Sequence, residues 1–114
     1  MKVMWCWRCR QDVPMLDDEE FTHINHLYRD CFQNMSRYRA ERRRQGEVPS
    51  IDDAFAPVRN EYERMTGMSN CHQNAILHHQ ISIYGPPCSV CGKPLRTPRA
   101  RFCAACGTVV QQVE

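Results

Sequence analysis

Two cysteine pairs near the C-terminus constrain this chain more than any other feature. They read CSVC at 88–91 and CAAC at 103–106, with eleven residues between them. A glycine follows each pair, Gly92 and Gly107, and lets the chain turn with positive φ at no steric cost. Two such turns facing each other surround one ion with four thiolates, as in structural zinc sites. The spacing predicts a zinc site, with local disulfides or metal-free thiols as alternatives. Its ligands would be Cys88, Cys91, Cys103 and Cys106.

A closed four-sulfur site leaves no coordination position for water or substrate. Its zinc ion would therefore stabilise the fold and perform no chemistry. A folded zinc site also explains how a chain of 114 residues, which has room for one domain, supplements a small apolar core.

The eight cysteines also bear on the compartment. The sequence has no apolar run of about 18 residues that would predict a membrane span. The N-terminus has no apolar stretch long enough for a secretory signal. Without export we expect a cytoplasmic protein, where reducing conditions make CxxC pairs metal ligands rather than a disulfide framework.

Charge is patterned rather than large, because the formal net charge is only +2. Acidic residues concentrate at 12–20 and arginines at 37–44. Four thiolates on one zinc ion carry a net charge of about −2, which brings the total near zero. A strong overall attraction to nucleic acid is therefore not predicted. A smaller basic group lies between the two C-terminal cysteine pairs: Lys93, Arg96, Arg99 and Arg101.

Apolar periodicity predicts about three helices between the cysteine-rich ends. The first runs from about residue 18 to Gln45, and Gly46 terminates it. Its apolar stripe steps by three and four through Phe21, Ile24, Tyr28, Cys31, Met35 and Tyr38. The second follows a turn at 53–55, begins near Pro57 and closes at Gly67. The third spans about Cys71 to Ser82.

The predicted fold is mostly α with a small β zinc ribbon, forming a single compact unit over residues 1–114. An N-terminal CxxC knuckle occupies 1–14, a helical body 15–85 and the ribbon 86–110. The two ribbon strands are expected at 93–95 and 100–102.

A second metal site is the open question raised by Cys6 and Cys9, since a lone CxxC cannot fill the coordination shell of zinc. His78 and His79 are the candidate further ligands, and Cys31 is another donor. Cys31 lies on the apolar stripe, so a core role is favoured for it. The alternatives are a half-site completed by a second copy or a partner, or a metal-free dithiol.

The function favoured by exclusion is a non-catalytic protein-binding module, because an acidic and a basic surface suit a specific partner. The alternative is a nucleic-acid-binding ribbon that uses Lys93, Arg96, Arg99 and Arg101, with Phe102 stacking on a base. An enzyme is not predicted, because the sequence has no phosphate loop, no Ser/His/Asp order and no obvious general base beside the cysteines.

Over residues 83–107 the chain resembles small bacterial zinc-ribbon proteins, most of them uncharacterised. The shared form is CxxCGKPL followed by FCxxCG. The resemblance implies a metal role for the four C-terminal cysteines. The N-terminal CWRC departs from this form, because Arg10 stands where glycine is expected. Some small bacterial proteins of this size are immunity partners that bind and block a toxin, and by analogy this is one form of the binding hypothesis.

Overall fold

A computed structural model describes residues 1–110 as a mostly helical protein with one two-stranded sheet. Backbone contacts group the chain into two compact units. The cysteine-rich unit comprises Met1–Asp18 and the described residues from His78 onward, and the helical unit comprises Glu19–Leu77. The elements are β1 (Lys2–Cys6), β2 (Gln11–Met15), α1 (Asp18–Arg44), α2 (Ile51–Ala54), α3 (Ala56–Thr66), α4 (Gln73–Ile76) and a 3₁₀ turn (Ile81–Ile83).

The N-terminal knuckle is the end of a β-hairpin that the sequence analysis did not predict. Strands β1 and β2 pair antiparallel, with Lys2 opposite Met15 and Cys6 opposite Gln11. The hairpin buries one face, on which Cys6, Val13 and Met15 are fully buried. Its period-two alternation is hard to read in the sequence, because β1 is almost continuously apolar and β2 contains a proline.

The predicted third helix, from about Cys71 to Ser82, is wrong in extent, because part of this segment pairs with the residue that follows the hairpin. Only Gln73–Ile76 is α-helical, and His72 caps it. The Leu16 N–H donates to the His79 carbonyl at 2.8 Å, and the Ile81 N–H donates to the Leu16 carbonyl at 2.9 Å. Residues 79–81 therefore use their backbone groups in a parallel bridge to Leu16 and cannot continue a helix.

The segment from residue 86 onward has less β-structure than a two-stranded ribbon. The strands expected at 93–95 and 100–102 are reduced to single bridges, Pro87 with Pro94 and Phe102 with Val109. Gly85 is held against this segment, and a Cβ there would lie 2.4 Å from the Thr97 carbonyl oxygen. The coarse prediction of a mostly helical protein with a little β-structure is confirmed.

In the helical unit the predicted first two helices are present. Helix α1 ends at Arg44, and α3 ends at Thr66, where Gly67 caps it with φ of 78°. The apolar stripe of α1 is only partly covered, because Ile24 is its one buried residue among those described. The buried residues of this unit come mainly from the later helices, including Val58, Tyr62 and Ile76.

A polar cluster around Asp52 joins α2 to α3 and α4. The Ser50 hydroxyl caps α2 by accepting from the Asp52 N–H at 3.2 Å. The Asp52 carboxylate accepts from Gln73 Nε2 at 2.8 Å and lies 3.2 Å from His72 Nε2. Arg59 donates to the Asp52 carbonyl and to Gln73 Oε1, both at 2.7 Å. The side-chain hydrogen bonds from Gln73 and His72 lower the pKa of Asp52.

We predict that Asp52→Asn destabilises the protein near neutral pH. A lowered folded-state pKa contributes stability above the unfolded value, and this contribution is lost as pH falls through the folded pKa. The midpoint of urea unfolding should therefore be lower for the variant than for the unmodified protein at pH 7. The gap between the two midpoints should narrow as the pH falls below 3.8, the ordinary pKa of an aspartate side chain. Asp53→Asn is the control, since it removes the neighbouring carboxylate and leaves the contacts of Asp52 in place. A gap that stays constant with pH would contradict this account.

Candidate metal centres

The four C-terminal cysteines converge on one point, as their spacing predicted. Their Sγ atoms all lie within 4.8 Å of one another. Cys88 Sγ is 3.7 Å from Cys106 Sγ, and Cys91 Sγ is 3.5 Å from Cys103 Sγ. Sulfurs bound tetrahedrally at about 2.3 Å from an ion lie about 3.8 Å apart. This group, site 1, is therefore suited to hold one metal ion.

Two equivalent turns position the sulfurs of site 1. The Gly92 N–H donates to the Cys88 carbonyl at 2.9 Å, and the Gly107 N–H donates to the Cys103 carbonyl at 2.8 Å. Both glycines have positive φ, 78° and 77°, which is the conformation expected from the sequence. All eight cysteines are among the described residues, and no disulfide joins any of them. The local disulfides considered as an alternative are therefore absent.

Hydrogen bonds and desolvation shift the pKa values of the site 1 thiols in different directions. The Thr108 side chain and backbone lower the pKa of Cys106 to about 6. Backbone N–H groups of Cys91 and Val90 lower the pKa of Cys88. The Lys93 N–H favours the Cys91 thiolate, but desolvation and the neighbouring thiols raise its pKa to about 11. Metal binding must therefore displace protons, so affinity should increase with pH.

A second group, site 2, joins the hairpin turn to the segment after α4. Ligand atoms of Cys6, Cys9 and His79 lie within 4.8 Å of one another. The Cys9 Sγ is 3.3 Å from His79 Nε2. Cys6 and His79 are fully buried. Two thiolates and an imidazole at these distances can bind one metal ion.

The turn at Cys6–Cys9 repeats the geometry of the other two, although its sequence departs from theirs. The Arg10 N–H donates to the Cys6 carbonyl at 2.8 Å, and Arg10 adopts φ of 55°. Arg10 thus occupies the left-handed conformation that Gly92 and Gly107 occupy in site 1. A residue with a Cβ is strained there by roughly 1–2 kcal/mol. The arginine changes the strain of the turn and leaves its backbone path intact.

Burial makes His79 a neutral ligand. Desolvation, followed by the nearby charge of His78, lowers the pKa of His79 to about 4. The imidazole is therefore in the metal-binding form across the neutral range. Desolvation and the adjacent Cys6 raise the pKa of Cys9 to about 11, so its thiol must release a proton on binding.

Tyr84 is a neighbour of site 2 that the sequence analysis missed. Its hydroxyl lies 3.8 Å from Cys6 Sγ and donates to the His78 carbonyl at 2.7 Å. Desolvation and the thiols raise the pKa of Tyr84, so its hydroxyl keeps its proton. No sequence pattern marked this residue, because 78 positions separate it from Cys6.

The structure brings together three of the four residues predicted for the second site. His78, the fourth, is outside the group, and its imidazole is exposed. His78 and His79 are consecutive in a non-helical segment, so their side chains point in different directions. Cys31 is also outside the group. It is half-buried on α1, as its apolar position suggested, and this desolvation raises its pKa.

The four basic residues of the nucleic-acid alternative occupy two environments. The Lys93 ammonium lies 3.9 Å from the centre of the Trp5 ring, and the Arg96 guanidinium lies 5.7 Å from that of Trp7. Trp5 and Trp7 meet edge to face at 6.2 Å. The side chains of Arg99 and Arg101 are exposed.

Comparisons of the chain with protein-family models, curated proteins and solved structures found no match. Across residues 1–110, no helix combines the length and the apolar character needed to cross a membrane. The chemistry of the two sites is therefore the main basis for assigning a function.

We predict that Cys103→Ser removes one equivalent of bound metal per chain. Cys103 is fully buried, and its loss leaves site 1 with three sulfurs. Elemental analysis of the purified protein measures the change, and circular dichroism reports the accompanying loss of structure. The matched control is Cys31→Ser, which should keep the original metal content. Unchanged metal in the Cys103 variant would refute the assignment of site 1.

For site 2, the adjacent histidines provide a matched pair of variants. His79→Ala should lower the metal content by one equivalent, because it removes one of three ligands. His78→Ala should leave the metal content unchanged, since its imidazole does not face the site. Native mass spectrometry distinguishes the two, and equal metal content in both variants would argue against site 2.

Proposed function

We propose that this chain is a non-catalytic protein-interaction module of the adaptor, inhibitor or toxin-immunity type, and that zinc stabilises its fold. The observation that carries the proposal is the closed four-sulfur arrangement of site 1. Such a site has no coordination position for a substrate. In this proposal the metal supports a binding surface rather than a reaction.

The choice of zinc follows from the donor atoms. Four thiolates in a tetrahedron suit zinc or iron–sulfur chemistry, and hard cations prefer oxygen ligands. The Sγ separations of 3.5 and 3.7 Å match a single ion at zinc–sulfur distances. We place the protein in the cytoplasm, where reduced cysteines remain available to the metal.

Site 2 supports the same conclusion. Cys6, Cys9 and His79 form a mixed sulfur and nitrogen set that zinc also accepts. A three-ligand zinc site can be catalytic when a water and a general base stand beside it. No described carboxylate belongs to this group. The neighbouring Tyr84 hydroxyl is a poor base, because its pKa is raised. We therefore assign site 2 a structural role.

Nucleic-acid binding remains the second candidate, because Arg99 and Arg101 are exposed and Phe102 is 61% exposed beside them. An exposed aromatic ring next to cations can stack on a base. Lys93 and Arg96 add less to this reading, since they lie over tryptophan rings and cover surfaces on which a base could stack. The protein-binding proposal therefore has the stronger support.

Native mass spectrometry of the tagged protein, purified from its own cells, tests the proposal. The expected result is two zinc ions and a protein partner in fixed stoichiometry, in a complex that survives moderate salt. Co-purified nucleic acid with an affinity that falls steeply with salt would overturn it. The double variant Arg99→Ala/Arg101→Ala is the control: it should spare a protein complex and weaken a nucleic-acid complex.

A further inference from the structure

The hairpin has a strand edge whose backbone groups face outward. Among the described residues β1 pairs only with β2. Pro14 lies opposite Val3 and has no N–H, so these two residues form a non-hydrogen-bonded pair. Trp5, two residues further along, has the same orientation. The N–H and C=O groups of Val3 and Trp5 therefore point away from β2.

A groove of about 810 Å³ runs along this edge within the cysteine-rich unit. Residues 2–5 of β1 form one side, and residues 84–87 and 92–94 contribute to the other. Pro86 and Pro87 have no N–H groups. The opposite side of the groove therefore supplies few donors of its own, and the edge of β1 remains available for pairing.

The groove carries more positive than negative charge. Lys2 and Lys93 line the groove, and Asp12 is the one carboxylate among its described lining residues. Carboxylate oxygens of a bound molecule would complement the two ammonium groups.

We propose that this groove binds an extended acidic segment of a partner protein, which adds to β1 as a third strand. Carbonyls of the added strand would accept from the Val3 and Trp5 N–H groups, and its carboxylates would face Lys2 and Lys93. This inference rests on the proposed protein-binding function and assigns that function a surface and a partner chemistry.

An extended peptide fits this surface better than single-stranded nucleic acid. Nucleic acid would need exposed ring faces for base stacking. Lys93 lies over Trp5 and Arg96 over Trp7, so a cation already covers one face of each ring. Backbone donors and acceptors at alternate residues of β1 instead match the repeat of a β-strand.

Selection from a displayed library of random decapeptides tests the inference, with the full chain loaded with zinc as the target. Enriched peptides should carry Asp or Glu at alternate positions.

Val3→Pro removes one outward N–H without removing a hairpin hydrogen bond, and it should weaken the binding of these peptides at least tenfold. Lys93→Glu should weaken binding to a similar degree while leaving the backbone unchanged. Trp5→Phe, which shrinks the ring that Lys93 covers, should weaken it several-fold.

Val48→Pro is the matched control, because Val48 is 95% exposed in the helical unit, outside the groove. Metal content and circular dichroism establish that each variant is folded. If Val3→Pro fails to fold, Lys93→Glu and Trp5→Phe still decide the result. Enriched peptides without acidic residues, or acidic peptides whose binding these variants leave unchanged, would overturn the inference.

The results distinguish a wrong assignment of the β1 groove from a wrong proposal of protein interaction. A native protein partner whose binding resists both Val3→Pro and Lys93→Glu would overturn the β1 assignment and leave the interaction function standing. Binding of an oligonucleotide that Lys93→Glu abolishes and Val3→Pro preserves, without peptide enrichment, would overturn both. A dimer of this chain that Val3→Pro dissolves, again without enriched peptides, would assign the edge to self-association and overturn the acidic-segment proposal.

Discussion

The convergence of four cysteines is the main constraint on the segment around site 1, because little apolar surface is buried there. The buried cluster next to site 1 consists of Cys88, Leu95 and Cys103, so two of its three members are cysteines of site 1. Apart from the two thiols, the cluster has one buried leucine, with the partly buried Ala100 and Val110 packed against it. In a cluster this small, a bound metal ion would supply the free energy that burial of apolar surface supplies in larger domains.

All three cysteine turns share one backbone conformation. A backbone N–H four residues after the first cysteine donates to that cysteine's carbonyl, and the donor residue has positive φ. This conformation brings both thiols of a pair to one side of the chain. Gly92 and Gly107 adopt this conformation without strain, whereas Arg10 adopts it with a Cβ. Site 2 is thus built on a more strained turn and completed by a distant histidine.

The two sites also fix what surrounds them. Site 2 places the end of β1 beside His79, and the adjacent tryptophans receive Lys93 and Arg96 from the segment near site 1. The groove along β1 is lined by residues from both of these segments. In the proposed function, structural metal ions would position the groove that the partner segment binds.

The sequence alone was sufficient for site 1, because two CxxC pairs with following glycines specify their geometry locally. It was also sufficient for α1 and α3, where steps of three and four outweigh other signals. The short extent of α4 could not be predicted, since the backbone of residues 79–81 bonds to Leu16, more than sixty positions away. The same bridge decides that His79, rather than His78, meets Cys6 and Cys9. Local patterns determine turns and helix faces, whereas pairing between distant segments depends on backbone hydrogen bonds that every residue can make. Only the tertiary structure decides which of those bonds form.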